Sequence, residues 1–564
     1  MAVESFVDVL RARNESDPGR CVYSFLMDGE REEVKLTWHA LWRSAVRIAA
    51  LLRAHAAVQE PVLLIFEPGL GFIEAFFGCL WAGVIAVPAF PPSPGRPTFD
   101  RLQSMAADSG ARIVLTSSAL EPLRSLLELV GTPLAACRWL SIEDAPEHEA
   151  EPASISGDAV ALLQYTSGST GDPRGVMVTH ANLIRNSQAI QRGFLHGEAL
   201  RGLIWLPPYH DMGLIGGILQ PAFVGGEVTL MSPLHFMQRP MRWLEAVSRL
   251  RATTSGAPNF AFELCARRAK PEQVLALDLS SWQVAFCGAE PIRVETLDLF
   301  ARTFAPAGFR SEALCPCYGL AESTLIVSAR GVPRAPTVFA ASPSGLAAKR
   351  LELAGDDEQP RALVGCGAVV EGDVLVVDPE TLVPVGPTSI GEVWLRGPSV
   401  ARGYWRREAE SGNTFGAHTA DGVGPWLRSG DLGALHDGEL YVVGRIKELI
   451  IIAGRNAYPQ DIEATVERCH PAVRAGRCVA FSTDRAGEEV LTVALEPNLR
   501  KTSVTLADLA AAVRRAVSLE HGIRVDAVVL LAHGSIPMTP SGKLRRNACR
   551  MALQGGELQP TARL

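Results

Sequence analysis

The feature that most constrains the fold is an alternation of short apolar runs with amphipathic segments in the first third of the chain. Thr37 is typical of a helix N-cap, and the apolar residues that follow it recur at helical spacing. The predicted elements in order are a helix over 37–55, a strand over 61–66, a helix over 70–82, a strand over 83–88, a helix over 98–109 and a strand over 112–117. Strand–helix–strand units of this length predict a parallel sheet covered by helices. The same alternation of strand and helix patterns recurs around 226–300.

The pattern changes after about residue 365. Short β runs separated by turn residues, at 373–385, 390–397 and 439–452, indicate a smaller and mostly antiparallel subdomain. Beyond residue 447, helical and strand patterns alternate in a compact segment. We therefore predict an α/β fold. Residues 1–446 form a large domain of parallel, helix-covered sheets with a β-rich subdomain, and 447–564 form a small α+β domain.

Composition excludes several classes of protein. The 564 residues are 47% apolar and carry a net charge of −7, so no basic field indicates nucleic acid as a partner. The most apolar run, residues 75–90, is too short to span a bilayer, and the N-terminus lacks a secretory signal. The eleven cysteines have no paired spacing, since Cys315 and Cys317 do not form a C-x-x-C motif. Scattered thiols of this kind predict a cytoplasmic protein.

The stretch LLQYTSGSTGDPRGVMVTHANL, residues 162–183, places small hydroxyl and glycine residues directly after an apolar run. Small residues let backbone N–H groups approach a guest closely, and oriented N–H groups form an anion-binding nest. A flexible loop exposed to solvent would have the same composition. The loop is not a Walker A motif, because Gly175 is followed by Val176 rather than by lysine.

Six further stretches combine polar residues with apolar runs: LPPYHDMGLIGGIL (206–219), CGAEPI (287–292), CYGLAEST (317–324), LRSGDLG (427–433), GRIKELIIIAGRNAYPQDIE (444–463) and MTPSGKLRR (538–546). Taken singly, each has an ordinary structural explanation. Asp431 reads as a turn aspartate, Glu322 as an acid at a helix N-terminus, and Lys543 as a surface lysine.

Taken together, these stretches and their order resemble the ANL superfamily of adenylate-forming enzymes, which includes acyl-CoA synthetases, peptide adenylation domains and luciferases. The matching features in chain order are the loop Thr166–Gly175, the pair Tyr318 and Glu322, the segment Ser429–Asp431, the pair Gly444 and Arg445, and the final Ser-Gly-Lys. The resemblance covers nearly the whole chain. Arg174 departs from the lysine that many members carry, but it keeps the positive charge.

The chain most resembles the fatty acyl-AMP ligase branch. LPPYHDMGLIGGIL and GRNAYPQDIE are similar to that branch, and residues 331–365 are longer than an acyl-CoA synthetase needs. The branch has an insertion at this place, which braces the mobile C-terminal domain and hinders the use of CoA. Within it, SGLAAKRLEL reads as a short amphipathic helix, although a plain surface loop is the alternative.

The resemblance implies ATP and Mg²⁺ as cofactors and assigns nucleotide-binding roles. Residues implied to cradle the β- and γ-phosphates are Thr166, Ser167, Gly168, Ser169, Thr170 and Gly171. Residues implied to line the nucleotide are Gly288, Ala289, Glu290, Cys317, Tyr318, Gly319 and Ala321, with Tyr318 against adenine. Asp431 would accept from the ribose hydroxyls with help from Arg445, and Glu322 would hold Mg²⁺. Lys543 would reach both the substrate carboxylate and the α-phosphate.

The remaining roles concern the acyl group and its acceptor. Lys447 takes the position of the family's hinge, and His210 lies where the family places a residue near the acyl-pocket entrance, unless it is a hydrogen-bonded structural histidine. Candidates for the acyl pocket, which core packing would explain equally, are Met212, Leu214, Ile215 and Ile218.

The resemblance predicts that the enzyme converts a medium- or long-chain fatty acid to an acyl-adenylate. The acyl group then passes to the phosphopantetheine thiol of an acyl carrier protein from a polyketide or lipopeptide pathway. The alternatives are a fatty acyl-CoA synthetase and a non-catalytic binding scaffold.

Overall fold

The computed structural model describes residues 3–91, 96–122, 124, 132–167, 173–452, 455–485, 488–498, 504–539 and 543–564. It confirms the predicted α/β class, with large sheets in the first three quarters of the chain and a smaller α+β region at the end. Predicted and observed element boundaries in the first third agree within about two residues. The side chain of Thr37 caps its helix as predicted, accepting from the N–H of Ala40 at 3.2 Å.

The first sheet has six strands. Their spatial order is Arg138–Ser141, Ile113–Thr116, Pro61–Ile65, Ile85–Ala89, Val160–Ser167 and Pro173–Thr179. All neighbours pair in parallel except the last two, which form an antiparallel hairpin. Pro61–Ile65 and Ile85–Ala89 are buried along their whole length, as the continuous apolar runs predict for a sheet covered on both faces.

The second sheet has nine strands. Their order is Ala368–Val369, Ile326–Ala329, Leu314–Gly319, Val284–Cys287, Thr254–Ala257, Arg201–Ile204, Glu227–Met231, Cys21–Leu26 and Glu33–Thr37. The central strands are parallel, and antiparallel strands close both edges. Ligands of open parallel sheets bind beyond the carboxyl ends of the strands. The strands ending at Cys287 and Gly319 therefore lead into the predicted site.

The predicted antiparallel subdomain is a four-stranded sheet. Its strands in order are Asp373–Val377, Gly391–Arg396, Leu427–His436 and Glu439–Arg445. The structure corrects one local reading here, because Asp431 lies within a strand, paired with Arg445, rather than in an exposed turn. The polar, glycine-containing sequence RSGD hid this strand, since glycine and aspartate are depleted in strands.

The C-terminal region has its own four-stranded sheet. Its strands in order are Val473–Arg485, Glu488–Pro497, Val525–Leu530 and Ala562–Arg563. Two separate two-stranded pairs are Val338–Ala341 with Arg361–Val364, and Ile450–Ile452 with Arg455–Ala457. A buried cluster that includes Ile462, Leu495 and Val513 is formed only by residues after 449. The division of the chain at residue 446 stays a prediction.

The helices of at least eight described residues are Phe6–Ser16, Trp38–Arg53, Leu70–Ala82, Arg96–Ser109, His180–Phe194, Met212–Leu219, Met241–Leu250, Asn259–Arg268, Val294–Phe304, Glu408–Phe415, Pro459–Cys469, Leu506–His521 and Arg546–Gln554. Shorter helices are Gln220–Val224, Pro233–Gln238, Pro271–Leu275 and Pro343–Ala347. Met212–Leu219 is a π-helix. None of the helices in the described ranges is long and apolar enough to cross a bilayer.

The segment 331–365 is structured, but its predicted helix is shorter than the sequence suggested. The helix covers only Pro343–Ala347, and the chain then turns at Lys349, whose φ is +58°. Leu346 and Leu363 of this segment pack with Tyr441 of the antiparallel sheet and Tyr458 of the C-terminal region in one buried cluster. The segment 331–365 therefore contributes to a core that joins three parts of the chain.

Two leucines in neighbouring helices provide a test of the main hydrophobic core, which contains Leu244. Leu244 in Met241–Leu250 is fully buried, whereas Leu234 in Pro233–Gln238 is 61% exposed. We expect Leu244→Ala to lower the free energy of unfolding by about 2–5 kcal/mol through lost burial and a residual cavity. Leu234→Ala should change it by less than about 0.5 kcal/mol. Pulse proteolysis in urea measures both, and equal losses would contradict the described core.

Candidate active site

Most of the predicted site residues meet in one large cleft between the sheets and the C-terminal region. Its volume is about 2410 Å³, well above the roughly 300–1,000 Å³ of a typical small-molecule pocket. The predicted residues that line it are Thr166, His210, Met212, Ala289, Glu290, Cys317, Tyr318, Gly319, Ala321, Glu322, Asp431, Arg445, Lys447 and Lys543. A cleft of this size has room for a nucleotide and a second substrate.

Asp431 is held from two sides at the cleft wall. The Tyr318 hydroxyl donates to its Oδ2 at 2.7 Å, and Arg445 Nε donates to its Oδ1 at 2.7 Å. The Asp431 N–H donates to Ser429 Oγ at 3.0 Å. The ion pair with Asp431 raises the pKa of Arg445, so the guanidinium stays charged. This arrangement fixes a carboxylate beside an aromatic ring that faces the same cleft.

Glu322 is the second carboxylate of the cleft. Its Oε1 accepts from the Tyr404 hydroxyl at 2.9 Å. Burial raises the pKa of Glu322, and the charge of Asp431 adds to the increase. Because a buried carboxylate is stabilised by an added cation, this environment suits a metal ligand.

Magnesium is compatible with this donor set. Across the described ranges, no group of three or more His, Cys, Asp or Glu side chains is arranged to hold a metal. Mg²⁺ usually binds through one or two carboxylates, water and substrate phosphates rather than in a cage of protein ligands. Glu322, at the cleft wall, therefore fits as a single protein ligand.

Residues 288–290 follow the strand Val284–Cys287. Ala289 has a φ of +67°, a left-handed conformation that is uncommon for a residue other than glycine and typical of functional sites. Glu290 accepts from the Phe260 N–H at 2.6 Å, and burial raises the pKa of its carboxyl group. Gly288 does not line the cleft. A Cβ at Gly288 would come within 2.9 Å of the Cys317 carbonyl oxygen, so glycine lets the two strands end close together.

Lys543 reaches this cleft from the C-terminal region. Burial lowers the pKa of its ammonium group, and the carboxylates of Asp211 and Glu290 oppose that decrease. The Lys543 N–H donates to Thr539 Oγ1 at 2.9 Å, which fixes the backbone of the turn. The structure therefore brings Lys543 to the cleft that Glu322 and Asp431 also line.

His210 and its neighbour Asp211 form a polar pair at another part of the cleft. His210 Nδ1 lies 2.6 Å from Asp211 Oδ1, and the Met212 N–H donates to the same oxygen at 2.7 Å. Burial alone would raise the pKa of Asp211, but His210 and Lys543 lower it overall. Asp211 thus supplies a negative charge to the lysine.

The acyl-pocket candidates separate into two groups. Met212 lines the cleft, whereas Leu214, Ile215 and Ile218 are buried in the main hydrophobic core and do not line it. The difference follows from which side of the π-helix each residue occupies, because Met212 and Gly216 border the cleft, whereas the carbonyl of Ile218 accepts from the buried Tyr23 hydroxyl at 2.9 Å. Gly216 lines the cleft instead, and its lack of a side chain leaves space there.

In the sequence, the predicted phosphate loop spans the end of the strand Val160–Ser167 and the start of its antiparallel partner Pro173–Thr179. Thr166 lines the cleft, while Gly168, Ser169, Thr170 and Gly171, together with the side chain of Ser167, lie outside the described residues. Arg174, on the returning strand, forms an ion pair with Glu410 at 2.8 Å and lies 5.5 Å from the Tyr404 ring centroid. The cation that replaces the family's lysine therefore lines the same cleft.

Comparison with known proteins gives the family. Residues 10–405 match the family model for AMP-binding enzymes, and 447–562 match the model for the AMP domain of Disco-interacting protein 2-like proteins. The medium-chain-fatty-acid–[acyl-carrier-protein] ligase JamA of Moorena producens is 41% identical over 98% of this chain and 96% of its own length. A second such ligase, TtuA of Teredinibacter turnerae, is 35% identical over 97% and 93%.

A solved structure agrees with this match. The fatty acyl-adenylate ligase of Legionella pneumophila, in complex with acyl adenylate and pyrophosphate, is 38% identical with a TM-score of 0.78 and covers 100% of this chain and 98% of its own. The chain belongs to the fatty acyl-AMP ligases of the ANL superfamily. It is therefore an adenylate-forming enzyme that uses ATP.

In this ligase, two ion pairs connect the helix Pro459–Cys469 of the C-terminal region with the rest of the chain. Arg293, three residues after Glu290, donates to Glu467 at 2.9 Å. Arg361 of the segment 331–365 lies 3.0 Å from Asp461 and 4.6 Å from the Tyr458 ring centroid. Both contacts hold the region that carries Lys543 over the cleft.

The predicted hinge, Lys447, lies in a short turn, Ile446–Glu448, that lines the cleft. Arg546 donates to Glu448 at 2.7 Å and to Glu463 at 2.7 Å. Arg546 is three residues from Lys543, so these contacts connect the turn at Lys447 with the segment that carries the lysine. The role of Lys447 as a hinge stays a prediction.

Three contributors to the site were not predicted from the sequence of this ligase: Tyr404, Asp211 and Arg293. Each acts on a partner that is far away in sequence. Tyr404 contacts Glu322 and Arg293 contacts Glu467. Asp211 acts on Lys543, which lies 332 positions later. Only the aromatic pair in the loop RGYW, residues 402–405, gave a local signal that could have indicated Tyr404.

The ion pair between Arg293 and Glu467 can be tested directly. Arg293→Gln leaves Glu467, 8% exposed, without its cationic partner. We expect docking of the C-terminal region to weaken by about 1 kcal/mol or more, roughly five-fold in its equilibrium. Hydrogen exchange should then become faster in Pro459–Cys469. The control is Arg302→Gln in the helix Val294–Phe304, which begins directly after Arg293. Arg302 donates to the Asp298 carbonyl within the same helix. Unchanged exchange in Arg293→Gln would contradict the proposed docking.

Proposed function

We propose that this ligase activates a medium- or long-chain fatty acid with ATP and transfers the acyl group to the phosphopantetheine thiol of an acyl carrier protein. The observation that carries the proposal is the meeting of Lys543 with two held carboxylates, Glu322 and Asp431, in one cleft. JamA and TtuA, named as ligases for medium-chain fatty acids and acyl carrier protein, support the choice of both substrates.

In the first reaction, a fatty carboxylate oxygen attacks the α-phosphorus of ATP, and pyrophosphate leaves with the electrons of the broken P–O bond. Two anions must meet, and charge accumulates on the phosphoryl oxygens, so positioning and cationic donors supply most of the catalysis. Lys543 would neutralise both groups, since its ammonium is a compact charge on a flexible stem. The acyl-adenylate and pyrophosphate named for the Legionella structure are the two products of this step.

We assign the nucleotide contacts as follows. Asp431 accepts from the ribose hydroxyls with Arg445 beside it, Tyr318 packs against adenine, and the segment 288–290 follows the edge of the base. Thr166, Ser167 and the glycine-rich turn after them hold the β- and γ-phosphates through N–H and hydroxyl donors. The hydrogen bonds of Asp431 with Tyr318 and Arg445 support this role, because they fix the carboxylate before nucleotide binds.

We assign Mg²⁺ to Glu322. The ion would neutralise phosphate charge and orient the triphosphate for in-line displacement. Tyr404 orients the carboxylate by donating to Oε1. The increase in the pKa of Glu322 by burial supports this role, since a carboxylate in such an environment favours a nearby cation.

In the second reaction, the thiol sulfur attacks the acyl carbon of the adenylate, AMP leaves, and the thiol proton goes to solvent. We propose that the C-terminal region rotates at Lys447 to remove Lys543 and admit the thiol. Met212, Gly216 and His210 would border the acyl chain. We place the reaction in the cytoplasm, because all eleven cysteines are free, and in a polyketide or lipopeptide pathway, which the sequence resemblance implies.

Lys543 tests the first reaction. Lys543→Ala should reduce the adenylation rate roughly 10²–10³-fold, about 3–4 kcal/mol, as expected for loss of one preorganised donor. Exchange of labelled pyrophosphate into ATP with lauric acid measures this rate. Lys35→Ala, at an exposed strand position outside the cleft, should exchange at the wild-type rate. A near wild-type rate in Lys543→Ala would refute the assignment.

The acceptor separates the ligase from the alternative acyl-CoA synthetase. Enzyme, ATP and lauric acid are incubated with either a phosphopantetheinylated carrier protein or CoA. We expect an acyl thioester on the carrier and little or no acyl-CoA, measured by mass spectrometry. Predominant formation of acyl-CoA would show that the enzyme is an acyl-CoA synthetase. If no fatty acid supports pyrophosphate exchange, the result favours the non-catalytic binding scaffold.

A further inference from the structure

Part of the cleft reaches into the main hydrophobic core. Besides Met212 and Gly216, its wall there includes Ile190, Phe194 and Phe286, each at most 7% exposed. The rings of Phe194 and Phe286 stack with their centroids 6.0 Å apart and an angle of 11° between their planes. This part of the cleft is therefore apolar, as the binding of an acyl chain requires.

One polar side chain, His196, interrupts this apolar wall. Its ring also lines the cleft and contacts the Phe194 ring edge to face, with centroids 5.4 Å apart. The Nε2 atom lies 3.2 Å from the hydroxyl oxygen of the buried Thr254. The Nδ1 atom is buried and has no hydrogen-bond partner among the residues that the structure describes. Because an unpaired buried polar atom is costly, a ligand that supplies a partner gains affinity here.

The backbone brings the imidazole to this place through an unusual turn. The helix His180–Phe194 ends at Leu195, whose φ of +53° is left-handed and uncommon for a residue other than glycine. The Leu195 side chain is 71% exposed, whereas the ring of His196 packs on Phe194. An apolar residue thus faces solvent and a polar one faces the core, which reverses the usual distribution.

His196 lies at the far end of the sheet from the proposed nucleotide contacts. Its partner Thr254 pairs with Val284, and these two are the first residues of neighbouring parallel strands. The second of these strands ends at Cys287, and the segment assigned to the edge of adenine follows it. Val284 and Cys287 are roughly 10 Å apart, because a strand rises about 3.3 Å per residue. The distance from the nucleotide side to His196 therefore suits a medium-chain acyl group.

The chemistry of His196 selects the group that binds it. Burial lowers the pKa of His196 to about 3, so the imidazole is neutral. One nitrogen of a neutral imidazole donates and the other accepts, and the Thr254 hydroxyl can serve Nε2 in either role. A hydroxyl group also fits Nδ1 in both cases, since it donates and accepts. A charged group would lose its hydration against Phe194 and Ile190, at a much higher cost.

We propose that His196 and Thr254 end the acyl channel in a hydroxyl-binding site, and that the preferred substrate is a medium-chain fatty acid with a hydroxyl group at its far end. This inference rests on the proposed function, because it concerns the acid that is adenylated. The substrate carboxylate lies with Lys543, and the distant hydroxyl bonds to Nδ1 of His196. His196 touches no reacting atom and determines specificity only.

The test compares two series of substrates with the full-length enzyme. One series contains the unsubstituted straight-chain acids from hexanoic to dodecanoic acid, and the other contains their ω-hydroxy counterparts. Pyrophosphate exchange gives kcat/KM for each acid. At one chain length, we expect the ω-hydroxy acid to exceed its counterpart roughly 3- to 10-fold, as for one net hydrogen bond. At the other lengths it should be the poorer substrate, because its hydroxyl is buried without a partner.

Three variants assign the preference to His196. His196→Leu should reverse it at the favoured chain length, so that the unsubstituted acid is preferred roughly ten-fold or more. His196→Gln keeps a donor and an acceptor and should retain part of the preference, which separates hydrogen bonding from packing if His196→Leu misfolds. His148→Leu, at an exposed position outside the cleft, should keep the wild-type preference.

Each outcome has a defined meaning. If the wild type prefers the unsubstituted acid at every chain length, the inference is overturned. A preference for the ω-hydroxy acid that persists in folded His196→Leu also overturns it, since the hydroxyl then binds elsewhere. Absence of exchange with every acid of both series contradicts the proposed function instead.

Discussion

The site depends on a lysine ammonium that is brought into a desolvated cleft between carboxylates. Burial disfavours the charged form of Lys543 and lowers its pKa, and the carboxylates of Asp211 and Glu290 oppose that effect. ATP and a fatty acid would add further negative charge around the same ammonium. The cation is therefore most stable where the reaction needs it, and the anions are most stable when the C-terminal region is closed.

Tyrosine hydroxyls orient both carboxylates that would hold the nucleotide. Tyr318 donates to Asp431 and Tyr404 donates to Glu322, each from a different segment of the chain. In each pair, the carboxylate oxygen that does not accept from the tyrosine can still accept from ribose or contact a cation. At Asp431, that second oxygen also accepts from Arg445. Such fixed dipoles need little reorganisation when charge develops on a substrate.

The regular elements of this protein could be predicted from sequence because their signals are local. Pro61–Ile65, Leu70–Ala82 and Ile85–Ala89 follow simple apolar patterns, and a side-chain hydroxyl marks the start of the helix after Thr37. The strand around Asp431 could not be predicted locally. Its pairing with the strands Gly391–Arg396 and Glu439–Arg445 overrides the poor strand propensity of RSGD.

The site itself was predictable only in part. Recognising the order of motifs selected Glu322, Asp431, Arg445 and Lys543, and the structure places all four in one cleft. The partners of these residues, such as Tyr404 for Glu322, depend on long-range folding. Leu214 and Ile215 are buried in the main hydrophobic core and do not line the cleft. The sequence could not separate these places, because an apolar residue in a wall and one in a core have the same sequence signature.

The tryptophans have a spectroscopic consequence. All ten precede residue 447, whereas the C-terminal cluster around Ile462 and Val513 has no indole. Tryptophan fluorescence therefore does not report directly on unfolding of the C-terminal region. The helices Pro459–Cys469 and Leu506–His521 contribute to far-ultraviolet circular dichroism. A difference between the two optical signals during heating would isolate the behaviour of the segment that carries Lys543, without any attached label.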